Sequence, residues 1–221
     1  MYQPTEFRGT DPQQAYAHIA RYPFGILVSA AGLAATHLPF LLNTPDTPTG
    51  VVSHFALRNG QWRTIGDGEE VLVIFPGPDA YVSPRTYTAE EDVPTWNYTA
   101  VHLRGAYRRI DRPSEVRELL ERTVATFEAR YAAPWSLSSM DGSALESLGR
   151  AVVAFEVTTR TLEHGLKLSQ DKLPDDVRGV CDALSRSADP TDRATEAEMR
   201  RAGVTGRTGP ASTDPATWLT E

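Results

Sequence analysis

The stretch from Glu70 to Gly105 constrains the fold more than any other part of this 221-residue chain. It opens on Val71-Leu72-Val73-Ile74-Phe75 and is punctuated at Pro76-Gly77-Pro78. After Tyr81-Val82-Ser83-Pro84 and an acidic loop it resumes as Pro94-Thr95-Trp96-Asn97-Tyr98-Thr99-Ala100-Val101-His102-Leu103. An unbroken β-branched and aromatic run bounded by Gly and Pro predicts a strand covered on both faces, with a turn at Pro76-Gly77-Pro78. In the second run aromatic and apolar side chains alternate with Asn, Thr and His. Successive strand side chains point to opposite sides, so this strand has one face for a core and one for something polar. Trp, Asn, Tyr and His so close together read either as a ligand wall or as a barrel strand filled with aromatics.

The flanking segments repeat the same grammar. Asp11-Pro12 starts a short helix, because Asp caps the free amides and Pro fits the first turn, and Pro23 ends it; His18 reads as a surface or boundary residue of that helix. Phe24–Ser29 and Leu33–Leu42 form a hairpin across Ala30-Ala31-Gly32, and Val51–Leu57 is a third strand. The polar stretch Arg58 to Arg63 places Trp62 beside guanidinium groups, either as a clamp for a flat or anionic ligand or as a core anchor. Tyr107–Ile110 extends or pairs with the strand before it. From Asp111-Arg112-Pro113-Ser114, apolar residues Val116, Leu119, Leu120, Val124, Phe127 and Tyr131 recur at helical spacing and predict the longest helix. Ala151–Val157 is the last long strand, with Leu166–Lys172 in the connection after it, and Pro174 to Arg201 makes two helices separated at Asp189-Pro190. Five or six strands around one long helix predict a mainly β protein with peripheral helices (α+β), in one domain over residues 1–202. Residues 203–221, rich in Gly, Thr, Pro and Ser with Trp218 alone as a large side chain, read as a mobile tail.

Charge and cysteine content narrow the function. No apolar run approaches the length that spans a bilayer, and the N-terminus lacks the pattern of a signal peptide, so no membrane partner and a cytoplasmic location are expected. A single cysteine, Cys181, excludes an internal disulfide and any multi-cysteine metal site. A net charge of −7 without a Lys/Arg block argues against direct nucleic-acid binding. Of 22 basic residues only Lys167 and Lys172 are lysines, and both fall within Leu166–Lys172. In a chain that otherwise uses Arg, this clustering either is chance or marks a need for a compact, titratable cation at Lys167.

Several ordered motifs together resemble one family: Met1-Tyr2-x-Pro4, Ala35-Thr36-His37-Leu38-Pro39, Ser53-His54-Phe55-Ala56 with Asn59-x-Gln61-Trp62, Val71 to Ser83-Pro84, Pro94-Thr95-Trp96-Asn97-Tyr98-x-Ala100-Val101-His102, and Lys167-Leu168-Ser169-Gln170. These are similar to the PaiB family of FMN-binding negative transcriptional regulators. The resemblance runs from Met1 to about Arg201 and implies a split β-barrel that forms a homodimer and binds a flat cofactor. The family also includes piperazate synthases, which hold heme b and close N5-hydroxy-L-ornithine into L-piperazate by forming an N–N bond. This chain departs from the family pattern at Ser53, at Leu57-Arg58-Asn59-Gly60, at Asp79 and at Arg85-Thr86-Tyr87. Asp79 in place of the family's His and Thr86 in place of its Trp make the site more polar and less bulky, which suits a small zwitterionic amino-acid substrate better than a purely flavin-filled cavity.

Two chemistries follow from the resemblance. In a heme enzyme, His54 or His37 is the axial ligand, with His54 preferred; Arg58 or Arg63 pairs with propionates; Lys167 supplies a proton or grips the substrate carboxylate; Tyr98 and Ser169 are alternative donors. In a flavin-loaded regulator, Arg58, Arg63, Thr36 and Lys167 hold the FMN phosphate while Trp62 or Trp96 packs the ring. Gln170, in the motif beside Lys167, is counted with the cofactor-binding residues. A flavin or heme oxidoreductase of other specificity is the third reading.

Overall fold

The computed structural model describes residues 1–88 and 93–207. Trp218 and the rest of the segment 208–221 lie outside the described residues. The apolar runs become strands β1 (Arg8–Gly9), β2 (Phe24–Ser29), β3 (Ala34–Pro39), β4 (Leu41–Leu42), β5 (Gly50–Ala56), β6 (Glu70–Val82), β7 (Thr95–Ile110) and β8 (Val152–Lys167). The α-helices among the described residues are α1 (Pro12–Arg21), α2 (Pro113–Glu128), α3 (Gly142–Arg150), α4 (Pro174–Ser185) and α5 (Pro190–Arg201). The strands form one antiparallel sheet in the order β3-β2-β6-β7-β8-β5-β4, with β1 on β8. The fold is α+β: a mainly β scaffold with helices at its periphery, the class that the sequence implied. No described helix is long and apolar enough to cross a membrane.

Local chemistry sets most boundaries. The Asp11 side chain accepts from Gln13 N at 2.8 Å and caps α1, and Pro12 occupies its first turn. Three expectations need correction. Pro76-Gly77-Pro78 does not turn the chain: β6 runs straight through it, and buried positions shift from Val71, Val73 and Phe75 to Pro78, Ala80 and Val82. Two residues are skipped on the inward face, the change of register a bulge makes, and a bulge is where a strand tolerates proline. The last strand does not stop at Val157 but continues to Lys167, so the Lys167 motif begins on a strand. Finally, His18 is no surface residue: it is 2% exposed, with Nε2 3.2 Å from the Phe75 carbonyl oxygen.

Contacts divide the chain into two compact units. The first comprises Met1–Tyr2, Arg8–Gly77 and Ala100–Gly165. Its core gathers Ile19, Leu27, Phe40, Val51, Phe55, Phe75, Leu103 and Phe155, with the Phe40 ring edge-on to Phe75 at 5.2 Å. Each such side chain, fully buried, contributes about 1.5–3 kcal/mol. On the opposite face of β5 and β8, Val52 and Ala154 pack with Leu119 of α2, while Leu120 of α2 meets Leu145 of α3. At the start of β5 a side chain is impossible, because a Cβ on Gly50 would lie 2.2 Å from the Val157 carbonyl oxygen. The second unit comprises Gln3–Phe7, Pro78–Thr99 and the described residues from Leu166 on. Its core joins Ala80, Val82 and Leu168 to Val177, Val180 and Leu184 of α4 and Met199 of α5. Beyond α5, Val204 packs against this core and Arg207 N donates to the Lys172 carbonyl at 2.8 Å.

Candidate functional site

In the first unit β5 carries the residue with the clearest chemical potential. Val51 and Phe55 point into the core, so His54 points to the other face, opposite Ala154 of β8. Its ring is half-buried, and Nδ1 is shielded from solvent without a hydrogen-bond partner among the described residues. Burial holds the imidazole below its ordinary pKa, so it is neutral at pH 7. A buried polar atom without a partner is uncommon and calls for a reason. A neutral imidazole with an uncommitted nitrogen is the donor that iron takes in heme proteins.

The turn after β5 supplies cations and an indole. Arg58 is exposed and has no hydrogen bond or ion pair among the described residues. Trp62 is half-buried against the core and donates from Nε1 to the Leu57 carbonyl at 3.1 Å. The Arg63 guanidinium lies over the Trp62 ring at 4.6 Å and also donates to Leu57 O at 3.4 Å, so one indole face is already covered. Thr36 and His37 part ways. The Thr36 hydroxyl donates to Gln61 Oε1 at 2.6 Å and accepts from Asn59 Nδ2 at 3.0 Å, a network that also ties Gln61 Nε2 to Ser29 Oγ at 3.0 Å. That hydroxyl braces the β3 to β5 region from within. His37 is exposed on the outer sheet face, 6.1 Å from the Phe24 ring.

In the second unit β7 alternates with the expected period but in the opposite sense: polar Asn97 and Thr99 point inward, aromatic Trp96 and Tyr98 outward. Trp96 is 54% exposed and meets Tyr81 edge-on at 6.0 Å. Tyr98 is half-buried, with no hydrogen bond from its hydroxyl among the described residues. Lys167 donates from Nζ to Thr95 Oγ1 at 2.6 Å and lies 5.8 Å above the Phe7 ring, which leaves further ammonium donors for an anion. Ser169 is 2% exposed and exchanges hydrogen bonds with fully buried Asn97 at 2.9 and 3.1 Å. Its φ of 67° is left-handed, a conformation that a non-glycine residue keeps only where its surroundings enforce it. Gln170 closes the turn by accepting from Leu168 N at 2.7 Å and donating to the Leu166 carbonyl. Ser169 and Gln170 therefore spend their polar groups on the turn that carries Lys167.

Sequence reasoning missed two features. One is Asn97 as the partner of Ser169. The other is a charged cluster in the first unit: the Met1 ammonium contacts Glu163 at 2.9 Å and Arg104 contacts it at 2.7 Å. His102, beside them, is held below its ordinary pKa by burial and then by the Met1 ammonium. The period-two alternation of β7 puts His102 and Arg104 on one face, which was the available signal.

An antiparallel sheet with peripheral helices is the architecture of a split-barrel domain. The chain belongs to the family described as "Putative FMN-binding domain", which matches residues 1–161. Over 192 residues it is 33% identical to "Protease synthase and sporulation protein PAI 2" of Bacillus subtilis (strain 168), covering 86% of this chain and 92% of that protein. Membership of the PaiB family, implied by the motifs, is thereby shown. Among solved structures, the FAD and heme binding protein of Mycobacterium smegmatis superposes with a TM-score of 0.54 at 15% identity, covering 72% of this chain and 73% of that one. The flavocytochrome Anf3 of Azotobacter vinelandii superposes with a TM-score of 0.53 at 11% identity, covering 72% and 69%. Both likenesses establish the split-barrel fold.

Proposed function

We propose that this chain is a heme-dependent enzyme of the piperazate-synthase type, closing N5-hydroxy-L-ornithine to L-piperazate with loss of water. The observation that carries this reading is His54: a neutral, half-buried imidazole neither of whose ring nitrogens has a hydrogen-bond partner among the described residues. The residues fit a heme, with His54 as ligand to the iron and the unpaired guanidinium of Arg58 for a propionate. Bound heme would supply a Lewis acid for the hydroxylamine oxygen. The cyclisation needs no external electrons: the α-amine nitrogen bonds to N5, the N–O bond breaks with its electrons on oxygen, and the proton lost by the amine balances the one that turns hydroxide into water. The protein's part is to hold charge and move those protons. The Lys167 ammonium, oriented by Thr95, grips the substrate carboxylate or provides the proton, and the free Tyr98 hydroxyl is the alternative donor. Ser169 is buried in its bond to Asn97, so we give it an orienting role rather than that of a donor.

The alternative is an FMN-loaded regulator, favoured by the family description and by the Bacillus relative. Arg58 or Lys167 would then hold the flavin phosphate. Direct DNA reading finds little support, since the net charge is −7 and α4 and α5 together carry six acidic and four basic residues. We propose a homodimer in either case, because the outer sheet face exposes Phe24 beside half-buried Ile26, Val28, Leu72 and Ile74.

The purified protein is reconstituted with hemin or FMN and given N5-hydroxy-L-ornithine, with product read by mass spectrometry. A Soret-absorbing protein that yields a product lighter by one water supports the enzyme. Stoichiometric flavin with no turnover rejects it in favour of the regulator.

A further inference from the structure

A cavity of about 680 Å³ opens in the first unit between α2, α3 and the start of β8, and His54 is not among the residues that line it. Its volume falls within the range of small-molecule sites. The floor is apolar, built from Trp62, Ile110, Val116, Leu120, Leu145 and Val152. Three guanidinium groups, Arg109, Arg117 and Arg150, stand around it against two carboxylates, Asp111 and Glu146. The lining itself carries one more guanidinium than carboxylate, and Glu121, outside it, pairs with Arg117.

Arg117 and Arg150 are held loosely, whereas Arg109 grips Asp111 through two parallel hydrogen bonds, the second from Nη2 to Oδ2 at 3.2 Å. Arg109 pairs with Asp111 at 2.6 Å, Arg117 with Glu121 at 2.9 Å and Arg150 with Glu146 at 3.4 Å, all between exposed side chains. Exposed pairs like the last two are weak, so an incoming carboxylate can displace one partner. Arg112 gives α2 no side-chain cap, so the first-turn amides beside Ser114 add to the positive potential at the mouth. Apolar floor and arginine-bearing rim together select a ligand with an apolar body and one anionic head. An ornithine-type amino acid has too little apolar surface to displace water from that floor.

We propose that this cavity binds a small amphipathic carboxylate, its body against Leu120, Leu145 and Val152 and its head on the arginines, at a site whose lining leaves out His54. The proposal does not depend on which cofactor the protein holds. Decanoate and 1-naphthoate, a chain and a ring with the same head, are titrated calorimetrically into the full-length, cofactor-loaded protein, with decanol as the neutral control.

One site per chain is expected, with the carboxylate bound at least about tenfold more tightly than decanol. The tighter of the two acids identifies chain or ring as the natural body. Gly149→Phe should weaken binding about tenfold or more by filling the space, since a Cβ at Gly149 meets nothing within 4 Å and the fold has room for it. Arg117→Glu should weaken it about fivefold and reads the same site if the first variant does not fold. Equal affinity for decanol, binding unchanged by Arg117→Glu, adsorption at many sites, or loss of the cofactor spectrum on saturation would each overturn the proposal; the last would make the cavity the cofactor's own.

Discussion

The imidazole of His54 on β5 and the turn from Leu166 to Gln170 treat their buried polar atoms in opposite ways, although the buried Ser53 hydroxyl beside His54 on β5 donates to the Pro39 carbonyl at 2.6 Å. The His54 Nδ1 is shielded and has no partner among the described residues. In the turn every buried polar side chain is bonded: Ser169 to Asn97, Gln170 to the backbone at Leu168 and Leu166. An open atom costs stability in the unliganded protein and favours whatever ligand can satisfy it. A closed network stabilises the fold and holds a conformation, here a left-handed Ser169, that the sequence would otherwise avoid. Under the proposed function, the difference separates the ligand position at His54 from a platform that presents Lys167.

Substitutions can break that contrast. The largest effect is expected at the group the platform presents. Lys167→Met should lower kcat/KM for the cyclisation about 100-fold, while hemin binding and the melting temperature stay as in wild type; a change within twofold would remove Lys167 from the chemistry. Next comes the platform itself. Asn97→Ala deletes a fully buried amide and strands the Ser169 hydroxyl, so urea denaturation should show a loss of about 2–3 kcal/mol. The open site should respond least: His54→Phe in cofactor-free protein should shift stability by less than about 1 kcal/mol, since no protein bond is lost. Were His54→Phe to cost more than Asn97→Ala, the contrast between open and closed would be wrong.

The pH dependence sharpens the same contrast. Burial keeps His54 neutral in the folded, cofactor-free protein, so below the ordinary histidine pKa near 6.5 the unfolded chain takes a proton that the folded chain refuses. Stability is therefore complete above that pH and is lost as pH falls towards and through the lowered value. His102 titrates in the same direction. Melting curves between pH 7.5 and 5 should show a slope that becomes shallower, without vanishing, in His54→Phe.

Much of this was legible in the sequence because it is local. Alternation along β7 gave its two faces, the Asp11-Pro12 cap gave α1, and Asp189-Pro190 separated α4 from α5. What the sequence hid depends on partners far along the chain. His18 is buried because the Phe75 carbonyl, 57 residues away, meets its Nε2. Asn97 and Ser169, 72 residues apart, give no pairwise signal in a single sequence. Pro76-Gly77-Pro78 reads as a turn by composition, and only the strands flanking β6 make it an in-strand change of register. Among the candidate residues, the motifs named His54 and Lys167 but could not show that the His54 Nδ1 lacks a partner among the described residues or that Lys167 is braced by Thr95.

The most direct test is an absorption titration of cofactor-free protein with hemin, run in parallel on wild type and His54→Ala. Wild type should saturate at one heme per chain with a Soret band of histidine-ligated iron, and the variant should lose that band and regain it when imidazole is added. Identical spectra and affinities for the two proteins would contradict the assignment of His54 as the group that holds the cofactor.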